Sequence, residues 1–311
     1  MYKLEPLQDL RGIAVIMVVT YHAGGIFVEH ILPYEVDGLG VRLFFMISGF
    51  IMAYIHGCDK GVQAFILFAK KRVVRIYPAY TPVFFMFLFM ILISGKGSEY
   101  HRDAVNIVRN VLLIQVPSKS IHPYSWSLVY ELYYYFIFGF FVIWLRLNII
   151  LCVFFLVTPV LLCHSRSDSD VLWMSYNNIF FAFGLSIGYC FHQKYFWIIL
   201  YLFFALLVFF GFSMNEFTVF VGLAFLLLFY LILDSSIFIL KYIGSASYSI
   251  FLCHALIVPI AVRLHFDLNY MIYAIVVFIC FGVGIFYHHF VEKKMMAYTA
   301  HYIRSSAKVQ T

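Results

Sequence analysis

The stretch YMIYAIVVFICFGVGIFYHHF, Tyr270 to Phe290, contains no Asp, Glu, Lys or Arg. As a helix it would extend about 30 Å, the thickness of the hydrocarbon core of a bilayer. Similar runs recur throughout the 311 residues, of which 64% are hydrophobic and only 12% charged. Soluble domains have about 25% charged residues and could not bury so much apolar surface. The sequence therefore predicts an integral membrane protein.

Apolar runs of about 17 to 22 residues between polar breaks predict about ten membrane helices. The expected spans are 12–29, 39–56, 76–94, 127–145, 148–164, 175–192, 195–212, 216–233, 246–264 and 270–290. Residues 104–116 are too short to span and carry Arg109, so we expect an interfacial or re-entrant helix there. Barrel strands are excluded because they alternate over about ten residues. The expected fold is all-α, a polytopic membrane helix bundle forming one domain, residues 1–311.

The distribution of basic residues predicts the topology. An even number of spans places both termini on one side, and 14 of the 21 Lys and Arg residues fall on that side. The positive-inside rule makes it cytoplasmic, as expected for a multi-pass protein of the inner (plasma) membrane. Topology also accounts for the net charge of +6, so we expect no nucleic-acid partner. No cysteine or histidine cluster has metal-ligand spacing, so no metal site is expected.

An arginine and a histidine share one face of the first predicted span. Arg11 and His22 are eleven residues apart, close to three helical turns, which separates them by about 16 Å along the axis. Arg11 would lie at the cytoplasmic mouth and His22 beyond the midplane. An ionisable residue inside the membrane is costly and indicates function. The alternative is a histidine that only packs, bonded to neighbouring backbone.

The fourth predicted span begins in SWSLVYELYYY and carries a carboxylate. With Trp126 at the outer interface, Glu131 would lie about 7 to 8 Å inside the membrane, near the depth of His22. A carboxylate there can orient one imidazole nitrogen and stabilise the imidazolium. Ser127 and Tyr130 share its helix face, which gives a polar stripe toward the bundle. The alternative is a Glu131 side chain that reaches the outer surface.

Two further polar residues, Ser48 and His254, also fall near mid-depth by residue counting. They are candidates to line the same cavity as His22. The alternative for Ser48 is a hydroxyl bonded to its own helix backbone, and for His254 a structural hydrogen bond.

A basic run, AKKRVVRIYP at 69–78, precedes the apolar part of the third predicted span. We interpret it as the end of a loop, which places Arg72 and Arg75 at the positive N-terminus of that span, where phosphate is attracted. Together with Arg11 they would bind a phosphorylated cytoplasmic ligand. The alternative role is topology and attraction to anionic membrane lipid.

Five segments together resemble the membrane-bound acyltransferase-3 family, which O-acylates exopolysaccharides, O-antigens and related envelope glycans. The matching segments are LQDLRGIAVIMVVTYHAGG, GVRLFFMISGFIM, KKRVVRIYPAY, YSWSLVYELYYYF and IGSASYSIFLCHALI. The resemblance implies a cytoplasmic acyl-CoA donor, usually acetyl-CoA, used as a substrate with no permanently bound cofactor. It implies as acceptor a hydroxyl of a polysaccharide or lipid-linked glycan on the other side.

The resemblance also implies roles for particular residues. His22 and Arg11 match the R-x10-H element, Arg72 and Arg75 an arginine pair linked with CoA, and Glu131 the acidic residue after the WSL motif. The expected catalytic pair is His22 as general base with Glu131. Only one acidic residue follows the WSL motif, where many members have two.

Another departure from the family pattern is a basic residue in the second span. Arg42 occupies a position where many members have an acidic residue, which bears on the outer lining and the choice of acceptor. Two other functional classes stay open from the residues alone. In a proton-coupled transporter, His22 and Glu131 would relay protons; in a non-catalytic scaffold, the spacing of Arg11 and His22 would be accidental.

Overall fold

The computed structural model describes residues 5–27, 38–95, 98–163, 171–190, 236–264 and 270–299, with a few positions between 221 and 230. Every regular element among them is helical, which confirms the all-α expectation. The helices are α1 Glu5–Phe27, α2 Leu39–His56, α3 Val62–Ile93, α4 Glu99–Arg102, α5 Ala104–Val111, α6 Trp126–Phe138, α7 Ile149–Cys163, α8 Asn177–Cys190, α9 Phe238–Ser245, α10 Ser247–Arg263 and α11 Tyr270–Tyr287. Two π-helical turns, Gly139–Trp144 and His288–Glu292, follow α6 and α11.

Several predicted spans coincide with helices of the structure. Helix α2 has the bounds predicted for it, and α7 and α10 agree to within one residue at each end. By length and composition, four described helical segments can cross a membrane: Leu39–His56, Val62–Ile93, Trp126–Trp144 and Tyr270–Thr299. Helices α9 and α10 taken as one span would make five. The count of ten stays a prediction, since 195–212 and most of 216–233 lie outside the described residues.

Helix α1 begins seven residues before the predicted span. It starts at Glu5, and Pro6 follows in the first turn. A proline there loses no helical hydrogen bond, and an acidic first turn stabilises the positive end of the helix. The apolar pattern alone did not reveal this polar first turn.

Helix α3 corrects the interpretation of the basic run. The helix begins at Val62, so 69–78 lies inside it rather than in a loop. Arg72 and Arg75 are therefore ten and thirteen residues past the helix start, and a helix dipole acts only within its first turn. The argument from a helix N-terminus is wrong for both. Lysine and arginine are good helix formers, so a basic run need not end a helix.

The chain forms two compact units. The first contains the described residues within 1–18, 33–67 and 130–245, and the second those within 19–32, 68–129 and 246–311. The prediction of one domain over 1–311 is not tested by this division. Because α1, α3 and α6 each contribute to both units, every unit is assembled from distant parts of the sequence.

Close glycine contacts organise the first unit. A Cβ added to Gly184 of α8 would overlap the carbonyl oxygen of Met46 in α2, and one added to Gly49 of α2 would overlap that of Phe181. Gly184 and Gly188 form a G-x-x-x-G pattern, which lets two membrane helices approach closely. On α9, Gly244 meets the carbonyl of Gln8 in α1 in the same way.

Tyrosine hydroxyls that reach the backbone of α3 organise the second unit. Tyr248 of α10 donates to the carbonyl of Ile76 at 2.9 Å, and Tyr287 of α11 donates to that of Ala79 at 2.9 Å. Both acceptors lie near Pro82, whose missing N–H leaves the carbonyl of residue 78 without its helical donor. The phenols thus fasten α10 and α11 to a proline-containing stretch of α3.

We predict that Gly184→Ala lowers the thermal unfolding midpoint of the purified protein in detergent. The added methyl must displace the backbone of α2, and overpacking of this kind costs about 1–3 kcal/mol. Gly282→Ala is the matched control, because a Cβ at Gly282 meets no atom within 4 Å. Equal midpoints for the two variants would show that the α2–α8 contact is not tight.

Candidate functional site

Two histidines face each other in the second unit. His22 of α1 is half-buried and His254 of α10 is fully buried. Nε2 of His254 lies 3.2 Å from Nδ1 of His22, and the ring centroids are 5.2 Å apart. A residue singled out in the first predicted span and one in the ninth are thus in hydrogen-bond contact.

The backbone determines which nitrogen donates in this pair. Nδ1 of His254 is bonded to the carbonyl oxygen of Phe251, and a carbonyl can only accept, so Nδ1 carries the proton. In the neutral ring, Nε2 of His254 is then an acceptor and must receive its hydrogen bond from Nδ1–H of His22. His22 consequently keeps its lone pair on Nε2. This is the nitrogen that can take a proton from a reacting group.

A tyrosine ring lies against both imidazoles. The ring centroid of Tyr124 is 4.0 Å from that of His22 and 4.5 Å from that of His254, with which it is stacked. Tyr124 is in the loop that precedes α6 and is half-buried. The three rings form an aromatic wall that restricts rotation of the His22 ring about its side-chain bonds.

A third histidine, His122, is buried beside this wall. Its Nε2–H donates to the carbonyl of Leu252 at 3.3 Å, and its ring lies between 5 and 7 Å from those of Phe87 and Tyr124. Burial lowers the pKa of His122 to about 4, and the bond to Leu252 raises it back only in part. The ring is therefore neutral at physiological pH. No described group bonds to its Nδ1.

The loop that carries His122 and Tyr124 is fixed by the buried side chain of Asn110. The amide of Asn110 donates to the carbonyl of Asn106 at 3.0 Å, and its Oδ1 accepts from the N–H of Ile121 at 2.7 Å. The backbone carbonyl of Asn110 also accepts from Tyr80 of α3 at 2.9 Å. A short helix, α5, thus anchors the chain directly before His122. The predicted helix 104–116 is shorter than expected and ends at Val111.

The remaining predicted site residues are divided between the two units. Trp126 and Ser127 belong to the second, where the Ser127 hydroxyl donates to the carbonyl of Tyr124 at 3.0 Å. The first unit contains Arg11, Ser48, Tyr130 and Glu131. Within it, Glu131 accepts a hydrogen bond from the hydroxyl of Tyr135. The pairing of His22 with Glu131 stays a prediction.

Two of the three predicted phosphate-binding arginines, Arg72 and Arg75, lie on α3 and contact different partners. Arg72 lies with its guanidinium 5.0 Å from the ring centroid of Phe68. Arg75 lies 5.6 Å from the ring centroid of Tyr248, and its Nη1 is 3.4 Å from Oε1 of Glu292. Arg75 is thus paired with the carboxylate of Glu292.

Sequence reasoning missed Tyr124, His122 and Glu292. Glu292 lies two residues beyond the last predicted span, which ends at residue 290, and so was not considered. The tyrosine and His122 lie in a loop with no helical period to place them. A weak signal for Glu292 was available, since Arg75 needed a counter-charge and few acidic residues follow residue 236.

Comparison with known proteins supports an enzymatic assignment. A family model described as an acyltransferase domain matches residues 9–289. The chain is 30% identical over 104 residues to "Protein 2 in picA locus" of Rhizobium radiobacter, a match covering 31% of this chain and 53% of that protein. It thus spans about half the length of this curated relative. No solved structure matches the chain with significance.

We predict that His122 makes stability fall on acidification. Between the ordinary histidine pKa of 6.5 and its own pKa of about 4, the unfolded chain binds a proton at this position that the folded protein does not. Stability should therefore be retained above about pH 6.5 and decline toward about pH 4. His122→Gln, which keeps an N–H donor but cannot titrate, should flatten this decline in unfolding midpoints measured across the range. Parallel curves for both proteins would contradict the assignment.

Proposed function

Because the chain belongs to the acyltransferase-3 family, we propose that it is a membrane acyltransferase that moves an acyl group from cytoplasmic acyl-CoA to a hydroxyl of an envelope polysaccharide or lipid-linked glycan, and that acetyl-CoA is the donor. The observation that carries the proposal is the bond from His22 Nδ1 to His254 Nε2 at 3.2 Å. It leaves the His22 lone pair on Nε2, as a general base requires. The protein would lie in the inner membrane with both termini in the cytoplasm.

The proposed chemical step begins at the acceptor hydroxyl. Nε2 of His22 removes the hydroxyl proton while the oxygen attacks the thioester carbonyl, forming a C–O bond. The tetrahedral intermediate then collapses, the C–S bond breaks, and the imidazolium returns the proton to the departing CoA sulfur. His22 ends each cycle neutral, and no outside acid or oxidant is consumed.

Other residues would assist this step. Glu131 would stabilise the imidazolium, in addition to the neutral partner His254. Ser48 or Tyr130 would donate a hydrogen bond to the oxyanion, and Trp126 and Ser127 would line the approach of the acceptor. A second route has His22 acylated first and the acceptor attacking afterwards. Trapping a labelled acyl group on His22 would separate the two routes.

The donor would be held by its phosphates. Arg11, Arg72 and Arg75 supply three guanidinium groups, which bind phosphate through paired N–H donors. All three residues are half-buried, and the proposed site requires that their guanidinium groups reach the donor.

We predict that His22→Ala lowers acyl incorporation into purified surface glycan by about 10²–10⁴-fold, the usual contribution of a general base. The substitution leaves the buried Nε2 of His254 without its donor, which costs about 1–3 kcal/mol, so acyl incorporation is normalised to the amount of folded protein. His289→Ala is the control: this imidazole is also partly exposed but lies in the π-helical turn that follows α11. Undiminished acylation by the His22 variant would remove the proposed base.

We predict that the two replacements His254→Gln and His254→Leu differ in activity. Glutamine can present a carbonyl oxygen to Nδ1–H of His22 and so preserve the required tautomer, whereas leucine cannot. The leucine variant should lose at least about tenfold in kcat relative to the glutamine variant. The KM for acyl-CoA should be similar in both, because His254 orients the base and does not hold the donor. Equal kcat values would show that His254 only packs.

A further inference from the structure

A buried carboxylate receives three donors within the last described helical segment, Tyr270–Thr299. Glu292 has no exposed surface and lies in the π-helical turn that follows α11. Its Oε2 accepts from the hydroxyl of Ser249 at 2.6 Å and from Nδ1 of His288 at 2.7 Å. Its Oε1 faces Nη1 of Arg75 at 3.4 Å. π-helical turns are frequent at functional sites.

The arginine is held from one side only. Nη1 of Arg75 also lies 3.8 Å from the sulfur of Met296, while the guanidinium plane lies over the ring of Tyr248. Among the described residues, nothing accepts a hydrogen bond from its Nε or Nη2. The side chain is 27% exposed; the edge formed by Nε and Nη2, which has no described acceptor, is called the open edge below.

The open edge has the geometry of an anion site. The N–H groups on Nε and Nη2 are parallel and match two oxygens of one phosphate. An arginine free to rotate would lose side-chain entropy on binding, and a pre-oriented one loses less. The carboxylate of Glu292 is itself well fixed, because Ser249 and His288 occupy its other oxygen.

We propose that Glu292 is a positioning residue for the donor site: it fixes Arg75 so that the Nε–Nη2 edge binds a phosphate group of acyl-CoA. This inference rests on the proposed acyl-CoA donor and adds to it the residue that orients the anchor. Glu292 does not touch the donor; it acts through Arg75.

The direction in which the Kd for acetyl-CoA changes distinguishes two roles of Glu292: orienting Arg75 or only neutralising its charge. If the carboxylate only neutralised Arg75, removing its charge would leave more positive potential and tighten donor binding. If it orients Arg75, removing the charge frees the guanidinium and weakens binding. We expect Glu292→Gln to raise the Kd for acetyl-CoA about tenfold.

The test measures binding to the purified full-length protein in detergent, with two probes. Acetyl-CoA carries the phosphates, and acetyl-pantetheine has the same thioester arm without them. Glu292→Gln should weaken acetyl-CoA binding and leave acetyl-pantetheine binding unchanged. Glu99→Gln, at a surface carboxylate of α4, is the matched control and should change neither.

A double-mutant cycle tests whether Glu292 acts through Arg75. In an Arg75→Gln background, Glu292→Gln should cause no further loss of acetyl-CoA affinity. An equal loss in both backgrounds, weaker binding of both probes, or tighter binding of acetyl-CoA would overturn the inference. If Glu292→Gln does not fold, Ser249→Ala, which removes one donor to the carboxylate and keeps its charge, should show a smaller loss of the same kind.

The same measurements separate this inference from the proposed function. Wild-type protein that binds neither probe would refute the acyl-CoA donor itself. Wild-type protein that prefers acetyl-CoA, with a Glu292→Gln variant that prefers it equally, would refute only the positioning role.

Discussion

The carbonyl oxygen of Phe251 determines the hydrogen-bond roles of His254 and His22. It accepts a hydrogen bond from Nδ1–H of His254, so Nε2 of the same ring must be an acceptor. Nδ1–H of His22 is therefore the donor to that Nε2. A backbone carbonyl cannot change its role, so the proton order along the pair is fixed as long as α10 keeps its helical backbone. A carboxylate partner would orient His22 by its charge, whereas this arrangement orients it with neutral groups.

Helix packing in each unit follows from the scarcity of polar groups. Apolar side chains gain little by leaving lipid for another helix, so membrane helices depend on close backbone approach and on hydrogen bonds. In the first unit, the backbones of α2 and α8 approach each other closely at Gly49 and Gly184. In the second unit, the hydroxyls of Tyr248 and Tyr287 donate hydrogen bonds to backbone carbonyls of α3. Helices α10 and α11 are thus held to α3 by directional contacts.

The sequence predicted the apolar helices well because hydropathy is a local property. Helix α2 was predicted to the residue, and the fold class is confirmed for the described chain. The start of α3 was missed because a basic run reads as a loop although Lys and Arg favour helix. In the site, His22 and His254 were singled out by the cost of a polar group in the membrane, but which side chain each one meets depends on tertiary packing. Glu292 shows the same limit, since two of its three partners, Arg75 and Ser249, lie 217 and 43 residues away along the chain.

Helix α10 contributes to both polar clusters of the second unit, the one around Glu292 and the one around His22. Ser249 bonds Glu292 near one end, and His254 bonds His22 five residues later, about 7.5 Å along the axis. Tyr248, beside Ser249, is fastened to α3 next to Arg75. A rigid helix with partners at both places keeps the orientation of the arginine and that of the histidine mutually constant. In the proposed reaction, the phosphates of the donor would bind at Arg75 and its thioester would lie at His22, so α10 would fix the distance between these two places.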